Sequence, residues 1–162
     1  MQSPKYKYNK SADGICVFIW EWFSRFSSNT AFLELNLDKI DWTILAKNPN
    51  AITIIEKNLD KIDWTILAKN PNAIPIIEKN MDKIILCDVY HQVFWAVLSY
   101  NPNAIPILEK NLDKIDWDWL SYNPNAIPLL EKNLDKIDWN NLSSNPNAIP
   151  LLEENLDKIN WN

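Results

Sequence analysis

The sequence predicts an all-α fold, an αα-solenoid of short helix pairs, on three observations. First, a unit of 22 residues recurs: 36–57 reads NLDKIDWTILAKNPNAITIIEK, and 58–79 repeats it with Pro75 in place of Thr53. Second, each unit holds two Asx-led motifs, and each motif precedes a stretch compatible with a helix. Third, Trp and Leu stand three residues apart in the first stretch, as in Trp42 and Leu45 or Trp117 and Leu120, which is a helical spacing. A fixed period in this range marks an array in which each unit touches mainly its neighbours.

In chain order, residues 1–12 read as a polar N-terminal tail. Residues 13–35 read as a degenerate capping repeat, because Trp20-Glu21-Trp22-Phe23-Ser24-Arg25 parallels Trp117-Asp118-Trp119-Leu120-Ser121-Tyr122 and 30–36 resembles a second helix. Residues 36–162 hold five repeats and a truncated sixth, with copies at 36–57, 58–79, 80–110, 111–132 and 133–154. The third copy carries about nine extra residues, 85–93, including Cys87, Asp88, Tyr90 and the only histidine, His91. A lengthened helix from about Val89, packing Val93, Phe94 and Val97, accounts for them. One His and one Cys four residues apart are a poor metal-ligand set. The chain stops at Trp161-Asn162 inside what would be the next helix. That leaves a short closing tail, a cut sequence, or an exposed apolar end able to self-associate.

Within copy 58–79, Asp60 and Asn72 are the expected N-caps, since a short side-chain oxygen accepts a free N–H of the first turn. This puts helices at about 61–69, with Asp63 in a capping-box position, and at about 73–79. Pro75 then falls at the third helical position, where its missing N–H costs nothing. Asn80 ends the second helix through its tolerance of the left-handed turn. Ile62, Trp64, Leu67, Ile74 and Ile77 form the expected core. The column Trp42, Trp64, Trp95, Trp117, Trp139 and Trp161 is expected to bury the most apolar area, each ring hiding roughly 200 Å², worth about 5 kcal/mol before entropy. A leucine-rich-repeat coil shares the 22-residue period, but its strand needs an alternation that Thr43, Asp118 and Asn140 interrupt.

Composition narrows the function. The chain is 47% hydrophobic, too apolar for disorder, and its 16 Lys and Arg against 21 Asp and Glu give a net charge of −5. That balance disfavours nucleic acid, where Lys and Arg supply most of the affinity. The longest apolar run, 15–20, is too short for a membrane span. Lys5, Lys7 and Lys10 ahead of it imitate a signal peptide, but Glu21 interrupts the run and no clean cleavage site follows. Two lone cysteines, Cys16 and Cys87, suit a reducing compartment. Gly14 is the only glycine, against any phosphate-binding loop. The recurring carboxylates suit caps and a charged rim, so no enzyme activity, cofactor or metal is expected.

The functional signal lies in variation among the copies. The second helix barely changes, whereas three columns of the first do: Thr43, Thr65, Ala96, Asp118, Asn140; Ile44, Ile66, Val97, Trp119, Asn141; and Lys47, Lys69, Tyr100, Tyr122, Ser144. Offsets of three and four place them on one helical face, turned outward. Tyr100, Trp119 and Tyr122 form an expected aromatic patch, with Lys47 and Lys69 toward the basic end and Asp118 beside it. These six are the candidate binding residues for an unknown protein. Self-assembly into a structural component is the alternative, and single-stranded nucleic acid ranks below both.

The string from Asn123-Pro124-Asn125-Ala126-Ile127 through Ile137-Asp138-Trp139 and Leu142-Ser143 resembles repeats in uncharacterised proteins of mimivirus-type giant DNA viruses. The resemblance spans about 36–162. It implies a protein made in the cytoplasm of an infected host cell, or carried in the virion, so that the unknown partner is a host or viral protein and the self-assembling alternative a viral structural or virion-associated component. It brings no site residues. Ala46-Lys47 and Ala68-Lys69 depart from the Ser of the pattern, and the third copy departs by its insertion.

Overall fold

The computed structural model describes residues 15–85 and 91–159. Among them lie thirteen α-helices and no strand. The absence of a strand removes the leucine-rich-repeat alternative from these residues. The long α1 (Ile15–Phe26) and short α2 (Thr30–Glu34) come first. Copy one holds α3 (Trp42–Leu45) and α4 (Ile52–Lys57), and copy two α5 (Trp64–Leu67) and α6 (Ile74–Lys79). The stretched copy holds α7 (Met81–Ile85), α8 (His91–Tyr100) and α9 (Ile105–Glu109). Then come α10 (Trp117–Ser121), α11 (Ile127–Glu131), α12 (Trp139–Leu142) and α13 (Ile149–Glu153). Helices of four to six residues cannot persist alone in water, so packing must hold them. First helices contact first helices of adjacent copies, as α5 with α8, α8 with α10 and α10 with α12, and α1 touches α3 as α2 touches α4.

The caps differ from the sequence expectation. The first helix is capped by the second Asp of each motif, not the first. Asp63 accepts the Thr65 and Ile66 N–H groups at 2.8 and 3.1 Å, and Asp41, Asp116 and Asp138 repeat the bond to the third residue on. Asp60 lies instead in a 3-10 turn, Leu59–Lys61. The cause is Ile62, which is extended and buried, so the helix cannot start before it. Likewise Asn70, not Asn72, caps the 3-10 turn Pro71–Ala73, and α6 starts at Ile74 with Pro75 second. At the far end, no non-glycine residue among those described has positive φ. Asn80 stops α6 by donating Nδ2–H to the Ile76 carbonyl at 2.8 Å, and Asn36, Asn58, Asn111, Asn133 and Asn155 bond four residues back in the same way.

The core is built of columns. Leu45, Leu67, Leu98, Leu120 and Leu142 are wholly buried, as are Ala51, Ala73, Ala104, Ala126 and Ala148. Ile55, Ile77, Leu108 and Leu130 complete it. The tryptophans do not behave as one buried column. Trp95 is 2% exposed, but Trp42, Trp64, Trp117 and Trp139 lie half-buried on the core's edge. Two of these rings take cations: Lys61 Nζ sits 4.9 Å from the Trp42 ring centre and Lys136 Nζ 4.8 Å from that of Trp117. The expected gain per ring is therefore reduced, and the fully buried Leu and Ile columns make up most of the interior. In the insertion, Val93 is exposed while Phe94 and Trp95 face inward, because α8 turns Trp95 onto the core in place of the half-buried position. Cys87, Asp88, Val89, Tyr90 and Trp161 lie outside the described residues.

Polar groups join each copy to the one before. Asn48, Asn70, Asn101, Asn123 and Asn145, the first Asn of each NPNAI string, are all buried. Asn123 Nδ2 donates to the Ser99 and Asn101 carbonyls at 2.9 and 3.0 Å, while its Oδ1 accepts the Asn125 N–H at 3.0 Å. Asn70 and Asn145 reproduce all three bonds one copy apart. Asn101 reaches back across the insertion to the Ala68 carbonyl at 2.7 Å. Asn48 bonds the Ser24 and Ser27 carbonyls. Asn72, Asn103, Asn125 and Asn147 add a second, exposed row, each donating to the preceding copy's proline carbonyl.

A serine relay runs beside these rows. Ser24, Ser99 and Ser121 each donate to the Trp carbonyl four residues back and accept the N–H of the next copy's capping Asp, at 3.1 to 3.2 Å. Ala46 holds this position in copy one, so the relay is missing between Ala46 and Asp63. Ala46→Ser is expected to stabilise the fold by about 1 kcal/mol, the worth of an added hydrogen bond. Urea denaturation checks this, and no rise in midpoint would show that the relay adds nothing there.

Candidate functional site

The first helices present two of the variable columns. α5 ends at Leu67, short of the expected 69, so Lys47, Lys69, Tyr122 and Ser144 of the third column stand just past their helix ends, and only Tyr100 lies within a helix. Thr43, Lys47, Lys69, Tyr100, Asp118, Trp119, Asn140 and Ser144 are exposed, while Thr65, Ala96, Ile44, Ile66, Val97, Tyr122 and Asn141 are half-buried. The structure brings three of the six candidate residues together. Tyr100 on α8 meets Trp119 on α10 edge to face, with ring centres 5.8 Å apart at 83°. Trp119 meets Tyr122, three residues on, at 5.9 Å. Tyr100 is 54% and Trp119 48% exposed, a large aromatic area to leave in water. Asp118 borders the cluster, and its carbonyl accepts the Asn141 Nδ2–H at 3.1 Å. Lys69 and Lys47 stand in Tyr100's column, one and two copies closer to the N-terminus, outside the aromatic contacts.

The sequence reading missed residues on the same face. Aligning Trp20–Arg25 with Trp117–Tyr122 puts Trp22 in the Trp119 column and Arg25 in the Tyr122 column. Trp22 is 55% exposed, and Phe26 beside it is exposed as well. Arg25 lies 5.9 Å from the Phe26 ring centre. The second column thus runs Trp22, Ile44, Ile66, Val97, Trp119 before turning polar at Asn141. The third runs Arg25, Lys47, Lys69 and then Tyr100, Tyr122. The parallel between the two strings was the signal that could have found them.

Three lysines at the ends of second helices are paired, whereas the cations of the variable columns are not, among the described residues. On the second helices Lys57 pairs with Glu34, Lys79 with Glu56 and Lys110 with Glu78, at 2.7 to 3.4 Å. These are exposed pairs worth little individually. Asp113 pairs with Lys114 at 3.1 Å, and that hydrogen bond holds its carboxyl below the usual range. Among the described residues, no ion pair uses Lys47, Lys69 or Arg25.

His91 has a structural partner. Its Nε2 accepts the Nε1–H of buried Trp95 at 3.0 Å. An apolar cavity of about 210 Å³ lies alongside, lined by Ile62, Trp64, Ile84, Phe94 and Trp95 among others. Among the described residues no three His, Cys, Asp or Glu side chains gather as a metal site would need. None of their helices is long and apolar enough to cross a membrane. Comparison of the chain with protein-family models, curated proteins and solved structures found no match.

His91→Leu leaves the Trp95 indole N–H without its acceptor, at an expected cost of about 1–3 kcal/mol. Trp95→Phe removes that donor, so the double variant should lose less than the sum of the single changes. Additive losses in urea denaturation would show that the bond contributes nothing.

Proposed function

We propose that the chain is an αα-solenoid of short helix pairs, a non-catalytic scaffold that holds another protein along its variable outward face. The observation that carries this reading is the exposed Tyr100–Trp119–Tyr122 cluster, which joins two copies. Tyr and Trp are the residue types that dominate interface energetics, and they do so when clustered and desolvated by a partner. The solenoid reading draws its support from asparagine bonds at 22- and 24-residue separations, repeated copy after copy. The non-catalytic reading draws on the use of carboxylates as caps and of His91 as a partner for Trp95. The resemblance to giant-virus repeats supports infected-cell cytoplasm or the virion as the protein's location.

A second reading, a structural component that packs on copies of itself, is favoured by one feature. Leu112, Leu134 and Leu156 occupy one column and are all exposed. Light scattering separates the two readings: growth of dimers or filaments with concentration supports self-assembly, and a monodisperse monomer contradicts it.

The scaffold reading is tested by affinity capture from host lysate with the wild type and with Trp119→Ala plus Tyr122→Ala. Proteins retained by the wild type are expected to be lost from the double variant while its thermal midpoint holds. Retention of the same set by both would overturn the assignment of this face.

A further inference from the structure

We propose that the variable face takes an extended, acidic segment of its partner, with the carboxylates over Arg25, Lys47 and Lys69 and an aromatic or long aliphatic side chain against Tyr100, Trp119 and Tyr122. This rests on the reading of the face as a protein-binding surface and adds the chemistry of what binds.

Three observations carry it. The third column is Arg25, Lys47, Lys69 across three successive copies and then Tyr100, Tyr122, so charge and ring area lie in sequence along one line. Lys57, Lys79 and Lys110 at the ends of second helices are matched by glutamates of the preceding copy, whereas no ion pair among the described residues uses Arg25, Lys47 or Lys69. The central column beside them, Ile44, Ile66 and Val97, is half-buried and apolar, a floor for a chain lying across it.

The geometry of stacked helices sets the spacing. Packed helices lie about 8–10 Å apart, and an extended chain advances about 3.3 Å per residue. Carboxylates two residues apart share one face of an extended chain and lie about 6.6 Å apart, so with the reach of the long Lys and Arg stems they match cations one copy apart. The net charge of −5 does not oppose this at close range, because charges beyond about 8 Å are screened at physiological salt.

A single-stranded nucleic acid fits less well. Three cations would release few counterions, a salt slope of only about −2. In the edge-to-face contact of Tyr100 with Trp119 one ring face is already occupied, where a base would have to stack.

The test is selection from a displayed library of random 12-residue peptides on the full chain, followed by titration of the enriched peptides and of an oligo-dT of equal length. Lys47→Glu plus Lys69→Glu, the milder Lys47→Gln plus Lys69→Gln, and Trp119→Ala plus Tyr122→Ala are compared, each checked for an unchanged thermal midpoint. The expected result is enrichment of acidic peptides bearing an aromatic or long aliphatic residue. Their affinity should fall at least about tenfold in the charge-reversed and aromatic variants. Neutral or basic peptides that depend only on Trp119 and Tyr122 would overturn the acidic assignment and leave the scaffold reading standing. Peptides indifferent to all the variants, or no enrichment, would overturn both. Oligo-dT binding more tightly than any peptide, and lost on charge reversal, would make the ligand a nucleic acid.

Discussion

The buried asparagine of each NPNAI string is the group on which the rest of the structure depends. At Asn70, Asn123 and Asn145 the side chain ties off three backbone groups at once: two carbonyls of the preceding copy and one N–H of its own turn. A loop buried between short helices would otherwise leave those groups unpaired, at about 1–3 kcal/mol each. No other side chain has the right inventory, since the amide alone offers two donors and an acceptor on one short stem. Among the described residues no buried side-chain polar atom lacks a partner. Ser27 shows how the row starts. It is buried one residue past the position aligned with Asn48, and its hydroxyl accepts the Asn29 N–H as Asn48 Oδ1 accepts that of Asn50.

This constraint explains why the second half of each copy barely varies. The two asparagines of the NPN turn serve the preceding copy, and the Ala that follows is wholly buried. Sequence freedom is concentrated in the first helix and the turn that follows it, at exposed and half-buried positions. Tyr100 and Tyr122 stand where Lys47 and Lys69 stand in other copies, and Trp119 where Ile44 and Ile66 stand, without disturbing any of these bonds. A binding surface on such a frame can change while the frame is kept.

Much of the fold was legible because its signals are local and repeated. The period, the helical spacing of Trp42 and Leu45 and the fixed Pro75 predict helices in the observed class. The register was harder. Asp60 and Asp63 offer the same local chemistry, and what separates them is tertiary: Ile62 must reach the core, and where serine is present the capping Asp N–H bonds the preceding copy. The same limit applies to Trp64, whose hydrophobicity says nothing of a lysine from the next copy lying over rings of its column. The asparagine row was hidden for a related reason. Each Asn has a convincing local role in a turn, and its partners in the preceding copy lie 21 to 33 residues away. At the candidate site, copy-to-copy variation revealed Tyr100, Trp119 and Tyr122, but Trp22 and Arg25 lay in a degenerate copy outside the compared columns.

The most direct test of the asparagine row is the unfolding of Asn123→Asp set against Asn125→Asp in urea at neutral pH. Both changes keep the side chain's shape and replace a donating amide with a carboxylate. Asn123 is buried with two carbonyls facing its Nδ2, whereas Asn125 donates one bond at the exposed surface. At position 123 the carboxylate would face two carbonyl oxygens without solvent, so a loss of roughly 3 kcal/mol or more is expected, against about 1 kcal/mol at 125. Protonation restores a donor and removes the buried charge, so the loss at 123 should shrink as pH falls toward about 4, the ordinary value for an aspartate. Equal, small losses at the two positions, independent of pH, would contradict the account.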